Sequence, residues 1–129
     1  MKCFAAQYLF SGKGKIGKKQ ILCLDNEGVL LSIRSFSDEM ASTAFLNGVL
    51  CPAFGLPGSK TVLVPEEADS LLKRVTKINP GLPVGDFLAI YTNVLDLEIG
   101  SKPKLWCIEP LDLKKLLLLD DSSVYSIFP

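Results

Sequence analysis

At 129 residues the chain suits one domain, residues 1–129, able to bury roughly two thirds of the surface its unfolded form exposes. A composition of 48% hydrophobic and 22% charged residues excludes the disordered and fibrous classes. The 14 basic and 14 acidic residues cancel, so no global field gathers nucleic acid or an anionic membrane, and a neutral surface favours self-association.

Residues 2–10 read as a first strand, leading into the lysine-rich stretch SGKGKIGKK from Ser11 to Lys19. That stretch fits G-x-x-x-x-G-K through Gly12, Gly17 and Lys18, with Lys19 where a P-loop carries Ser or Thr, and Gly12, Gly14 and Gly17 also satisfy G-x-G-x-x-G. Both fingerprints require a helix that starts there and aims its unpaired N–H groups at phosphate. The next six residues, QILCLD (20–25), are strand chemistry instead. Lys13, Lys15, Lys18 and Lys19 are therefore read as a solvated loop whose charge discourages edge-to-edge pairing. Asn26-Glu27-Gly28 then turns the chain into VLLSIR (29–34), a hairpin signal. After a polar stretch, Ser35 to Ser42, Asn47-Gly48 is read as a tight turn between TAFL and VLCPAF.

Pro65-Glu66-Glu67 opens a helix, with proline and acids where a first turn favours them. Ala68, Leu71, Leu72, Val75 and Ile78 recur along one face, and Asn79-Pro80-Gly81 ends it. A shorter helix begins near Val84 and aligns Val84, Phe87, Leu88, Tyr91 and Val94 or Leu95. PKLWCIE (103–109), KLLLL (115–119) and VYSIF (124–128) come next as strands, parted by turns at Glu109-Pro110 and Asp120-Asp121-Ser122. The expected fold is mainly β with two helices, an α+β class. N-terminal strands occupy 1–54, a bridge 55–65, helices 66–95 and C-terminal strands 100–128.

Cys3, Cys23, Cys51 and Cys107 share no C-x-x-C pair, which argues against zinc or thioredoxin-like chemistry. They are expected to be small buried hydrophobes with reduced thiols, as in a cytoplasmic protein. The N-terminus does not read as a signal peptide, and no segment approaches the roughly 18–20 apolar residues of a membrane helix.

The chain has no histidine, so imidazole ligands and bases are excluded. Glu66-Glu67 and Asp120-Asp121 are adjacent pairs whose side chains diverge, and they read as a helix start and a turn rather than paired catalytic carboxylates. Ser59-Lys60 lacks the support a Ser-Lys nucleophile needs and reads as a loop pair. Trp106 lies in an apolar strand and reads as core, or as a patch anchor, rather than as a base-stacking platform. No catalytic, cofactor-binding or metal-ligating residue is assigned.

The strand order and the segment FLNGVLCPAF resemble the start of the metal-dependent amidohydrolases, the superfamily of cytosine and guanine deaminases and dihydroorotases. There a hairpin like QILCLDNEGVLLSI leads to a Pro-Gly-Phe-like turn and a metal-binding His-x-His pair. Here Cys51-Pro52-Ala53-Phe54 matches the turn with Ala53 in place of Gly, and Gly55 to Lys60 stand where the histidines would be. The segment PGLPVGDFLAIYTNVLDLEIGSKPKLWCIEPLDLKKLLL resembles the end of the same superfamily, with Phe87 to Thr92 as its helix and Gly100-Ser101-Lys102-Pro103 as a contracted turn. The resemblance implies a composite β-sandwich like the one flanking the catalytic barrel, with the barrel itself gone. A (β/α)8 barrel takes about 250 residues, which this chain cannot supply.

A non-catalytic domain of interaction or scaffold type is the function this implies, with no cofactor. The apolar surface that a barrel would cover is expected to lie under the two helices or under another protein. Homodimerisation across a two-fold axis is the simplest form of the latter. The alternatives are a small-molecule-binding or regulatory domain with a pocket between helices and sheet, and an accessory subunit of an intact amidohydrolase. Nucleic acid and membrane are not expected partners.

Overall fold

The computed structural model describes residues 1–12, 16–35, 43–94 and 96–128. Lys13, Gly14, Lys15, the polar residues 36–42 and Leu95 therefore lie outside the described residues. Strands β1 (Lys2–Phe10), β2 (Ile16–Leu24), β3 (Leu30–Ser35), β4 (Thr43–Pro52), β7 (Leu105–Asp112) and β8 (Leu117–Phe128) form one mixed sheet in the order β3-β2-β1-β4-β7-β8. Only β1 and β4 run parallel. Strands β5 (Phe54–Gly55) and β6 (Asn93–Val94) make a second, two-stranded sheet, and helices α1 (Pro65–Ile78) and α2 (Val84–Tyr91) lie between them in sequence. The fold is mainly β with two helices, the α+β class the sequence predicts.

The predicted hairpin forms at Asp25–Val29. The Asp25 carboxylate accepts N–H bonds from Glu27 at 2.8 Å and Val29 at 3.0 Å, and Gly28 takes φ +87°, where a side chain would be strained. The second predicted turn does not form. Asn47-Gly48 lies inside β4 as a bulge: Ala6 pairs with Leu46 and Tyr8 with Val49, so β4 carries one residue more than β1. A tight turn needs the two flanking runs to pair with each other. Here both halves of β4 find the same neighbour, β1, on one side.

Two further predicted turns are also strand. β7 runs through Glu109-Pro110, and β8 runs through Asp120-Asp121-Ser122. Pro110 offers no N–H, so the ladder breaks locally: Glu109 faces Ser123 while Leu111 already faces Leu118. The buried Ser122 hydroxyl closes the gap by donating to the Pro110 carbonyl and accepting the Leu119 N–H. The actual reversal lies between β7 and β8, where Asp112 accepts the N–H groups of Lys114 and Lys115. Lys115 and Leu116 thus belong to a turn rather than to the predicted strand 115–119.

Adjacent strand residues alternate between two hydrophobic clusters. Leu50 and Leu105 join Phe4, Leu22, Leu24 and Leu30 on one side, closed by Leu30 N–H to the Ser101 carbonyl and Gly100 N–H to the Leu30 carbonyl. Val49, Cys51, Trp106 and Ile108 face the other side, where α1 supplies Ala68, Leu72 and Val75, and α2 supplies Val84, Phe87 and Leu88. Phe54 sits at the centre of this second cluster, edge-on to Trp106 at 4.9 Å and to Phe87 at 6.0 Å. Helix α1 begins as predicted, with the Glu67 carboxylate accepting the Val64 N–H at 3.1 Å. Ile78, expected on its buried face, is instead 83% exposed as the last residue of the helix.

The cysteines divide into two kinds. Cys51 and Cys107 are buried thiols, as expected. Cys3 and Cys23 are not: they stand directly opposite in the β1–β2 ladder with Cα atoms 4.1 Å apart and are disulfide-bonded. That separation is close to that of a non-hydrogen-bonded antiparallel pair, where side chains approach most closely. Pairing register, invisible in Cys spacing, brought them together. No helix among the described residues is long and apolar enough to cross a membrane.

Candidate interaction surface

The side chains singled out in the sequence do not converge on a reaction centre. Ile16–Leu24 is strand, so the helix that a phosphate loop needs is not found after the lysine-rich stretch. Ser59 accepts the Thr61 N–H within a surface loop. Glu66 and Glu67 occupy the first turn of α1, and Asp120 and Asp121 are exposed on β8. Trp106 is core, 2% exposed. Among the described residues no group of three or more Cys, Asp or Glu side chains is placed to hold a metal ion.

One polar cluster escaped sequence reading. Cys107 and Tyr125 face each other across β7 and β8, and the Tyr125 hydroxyl donates to the Glu109 carboxylate at 2.6 Å. Burial, then the hydrogen bond to Glu109, raise the Tyr125 pKa well above the ordinary phenol range. Burial likewise pushes the Cys107 thiol up to about 11 and the Cys51 thiol higher still. A thiolate is the nucleophilic form of cysteine, and burial disfavours it at both positions.

A different surface lies beside the buried joint between the two ends of the chain. There β4 pairs with β7 over Val49–Pro52 and Leu105–Ile108. Three hollows adjoin one another: one lined by β1, β2, β3 and residues 96–98, and two beside the end of this joint. The first, about 460 Å³, has Leu9, Ile33 and Leu97 in its lining together with Ser11, Gln20, Asp96 and Glu98. The second, about 280 Å³, shares Asp96 and Leu97 with it and adds Pro52, Ala53, Val62, Pro103, Lys102 and Lys104. The third, about 260 Å³, shares Val62 and Lys104 with the second and reaches Leu63, Val64, Pro65 and Trp106.

Local sequence accounts for these hollows. Leu63 is held by its N–H bond to the Phe54 carbonyl, and Asn93 donates to the Ser59 carbonyl, so the bridge folds back on β5 and β6 rather than over the joint. Val62 is therefore half-buried, and Val64 is 51% exposed just ahead of α1. Helix α1 packs along β8, and the start of α2 is pinned to the start of β8 by Val84 N–H to the Leu116 carbonyl and Leu118 N–H to the Leu82 carbonyl. Neither helix lines any of the three hollows beyond Pro65, the first residue of α1. The sequence signal was the apolar run Val62-Leu63-Val64 inside a segment otherwise rich in Gly, Pro, Ser and Lys.

Fold and surface together define an α+β protein with a six-stranded mixed sheet and partly apolar hollows beside the bridge and the segment 96–104. No family model, curated protein or solved structure matches the chain.

Proposed function

We propose that the chain is a non-catalytic interaction module, an amidohydrolase-like flanking β domain that lacks the barrel and engages protein through the surface at its bridge. The observation that carries this is the pair of hollows beside the β4–β7 joint, with Val62 and Val64 partly exposed and both helices committed elsewhere. Apolar side chains beside such a joint gain by being covered, at roughly 25 cal/mol per Å² removed from water. A chain made from two joined ends requires strands from both to pair directly, as β4 and β7 do. A cytoplasmic location is part of the proposal only if Cys3 and Cys23 are held there as thiols, since the bond between them is what an oxidising compartment produces.

The test is a photocrosslinking amino acid placed in living cells at position 64, with position 78, which is more exposed still, as the control. The proposal expects protein adducts from position 64 and few from 78. A chain that forms no adduct from position 64 contradicts it.

A further inference from the structure

Strand β8 is the last of the six-stranded sheet and, at 12 residues, the longest in it. Its outer edge is therefore the longest row of main-chain groups that this sheet could offer to a strand of another molecule. The chain meets that edge at three places. Near the start of β8, Leu118 N–H donates to the Leu82 carbonyl and Val84 N–H to the Leu116 carbonyl, so the backbone leading into α2 stands where a further strand would. In the middle, Asp120 and Asp121 are exposed, and the ladder is already interrupted opposite Pro110. Here a hollow of about 460 Å³ opens between α1 and β8, lined by Lys73, Thr76, Lys77, Pro80 and Asp120. Charge and irregular backbone blunt the edge at this point rather than covering chain. Towards the end of β8 a side chain takes the place of backbone: Asp69 of α1 accepts the Val124 N–H at 2.9 Å and is itself paired with Lys73.

We infer that Asp69 is an edge guard: besides fastening α1, it occupies the Val124 N–H and so keeps the C-terminal part of β8 from pairing with a strand of another molecule. An ionised carboxylate suits the task because it accepts without donating. It satisfies the edge N–H but offers an incoming strand nothing to continue the ladder from, and its charge must be desolvated before that strand can take its place. The two roles of Asp69 separate by chemistry. Asp69→Asn removes the charge and the pairing with Lys73 but keeps an oxygen that can accept the Val124 N–H, whereas Asp69→Ala leaves that N–H to whatever acceptor arrives.

Sedimentation equilibrium on the purified full chain at neutral pH tests this with wild type, Asp69→Asn, Asp69→Ala and Phe54→Ala, the last a core variant that weakens the fold away from this edge. With no other protein present the strand on offer is that of a second copy, and main-chain pairing is largely indifferent to side chains. Asp69→Ala is expected to raise the self-association constant over wild type by on the order of tenfold. Asp69→Asn and Phe54→Ala are expected to stay at the wild-type level. Hydrogen exchange on dilute wild type needs no variant to fold: the Val124 amide is expected to exchange on the order of a hundredfold more slowly than an open-chain amide, although no strand faces it. A Val124 amide that exchanges freely overturns the inference. So does Asp69→Ala associating no more than wild type, or either Asp69→Asn or Phe54→Ala associating as strongly as Asp69→Ala.

Discussion

Gly48 of β4 lies against the backbone of Ile108 in β7: a Cβ added at Gly48 would stand 2.1 Å from the Ile108 carbonyl oxygen and 2.8 Å from the Glu109 Cβ. The first and last thirds of the chain approach here more closely than any side chain permits. Gly48→Ala is expected to push β7 away and destabilise the protein by about 2–3 kcal/mol, lowering its melting temperature by roughly 5–10 °C. Thermal unfolding followed by circular dichroism checks this. An unchanged midpoint would mean that β7 does not press on β4 at this point.

Asp69 of α1 ties the helix to the sheet edge, accepting the Val124 N–H at 2.9 Å while pairing with Lys73 one turn on. Burial acts to raise its pKa, but the hydrogen bonds from Lys73 and Val124 outweigh it, so the net shift is downward from 3.8. A carboxyl with a depressed folded-state pKa stabilises fully above its unfolded value and loses that contribution as pH falls through the folded one. Asp25 acts with the same sign through its bonds from Val29 and Glu27. Stability measured by urea unfolding is expected to fall as pH drops from about 5 to about 2. Asp69→Asn should be less stable at neutral pH and converge on the wild type in acid. Parallel curves for the two proteins would contradict the assignment.

The cysteines are expected to react in two stages. Native, unreduced protein should resist alkylation at all four positions: Cys51 and Cys107 because they are buried with raised pKa values, Cys3 and Cys23 because they are bonded. Denaturation should expose two thiols, and reduction the other two, as peptide mass mapping would record. Cys3→Ser is expected to cost about 2–4 kcal/mol in the oxidised protein and little in the reduced one. Four reactive thiols after denaturation without reductant would remove the bond.

Phe54 is the predicted weak point of the larger core. It is fully buried between Trp106, Phe87 and the bridge, and Phe54→Ala is expected to cost about 3–5 kcal/mol in denaturant unfolding. A cost below about 1 kcal/mol would show that the bridge does not anchor on this ring.

Much of this fold was legible where local chemistry decides it. Lys2–Phe10 declares itself by its apolar run, Asp25–Val29 by its turn residues, and Pro65–Ile78 by its acids and its helical period. Three of the misread turns share one cause. Asn47-Gly48, Glu109-Pro110 and Asp120–Ser122 carry turn residues, but each is overruled by a partner distant in sequence: β1 beside β4, β8 beside β7, and the Ser122 hydroxyl reaching the Pro110 carbonyl. The Cys3–Cys23 bond and the Tyr125–Glu109 contact likewise depend on strand register, which no local pattern encodes. The hollows were not legible, because Val62-Leu63-Val64 reads only as part of the bridge 55–65 and which strands it meets depends on the fold.

The claim beneath all of this is that both ends of the chain build one cooperative sheet. Native-state hydrogen exchange measures it directly. The amides of Val49–Cys51 and Leu105–Ile108 that bond across the β4–β7 joint are expected to exchange together, at the slow rate set by global unfolding. Exchange of the β7–β8 amides through a separate, lower-energy opening, with β1–β4 still protected, would contradict the claim.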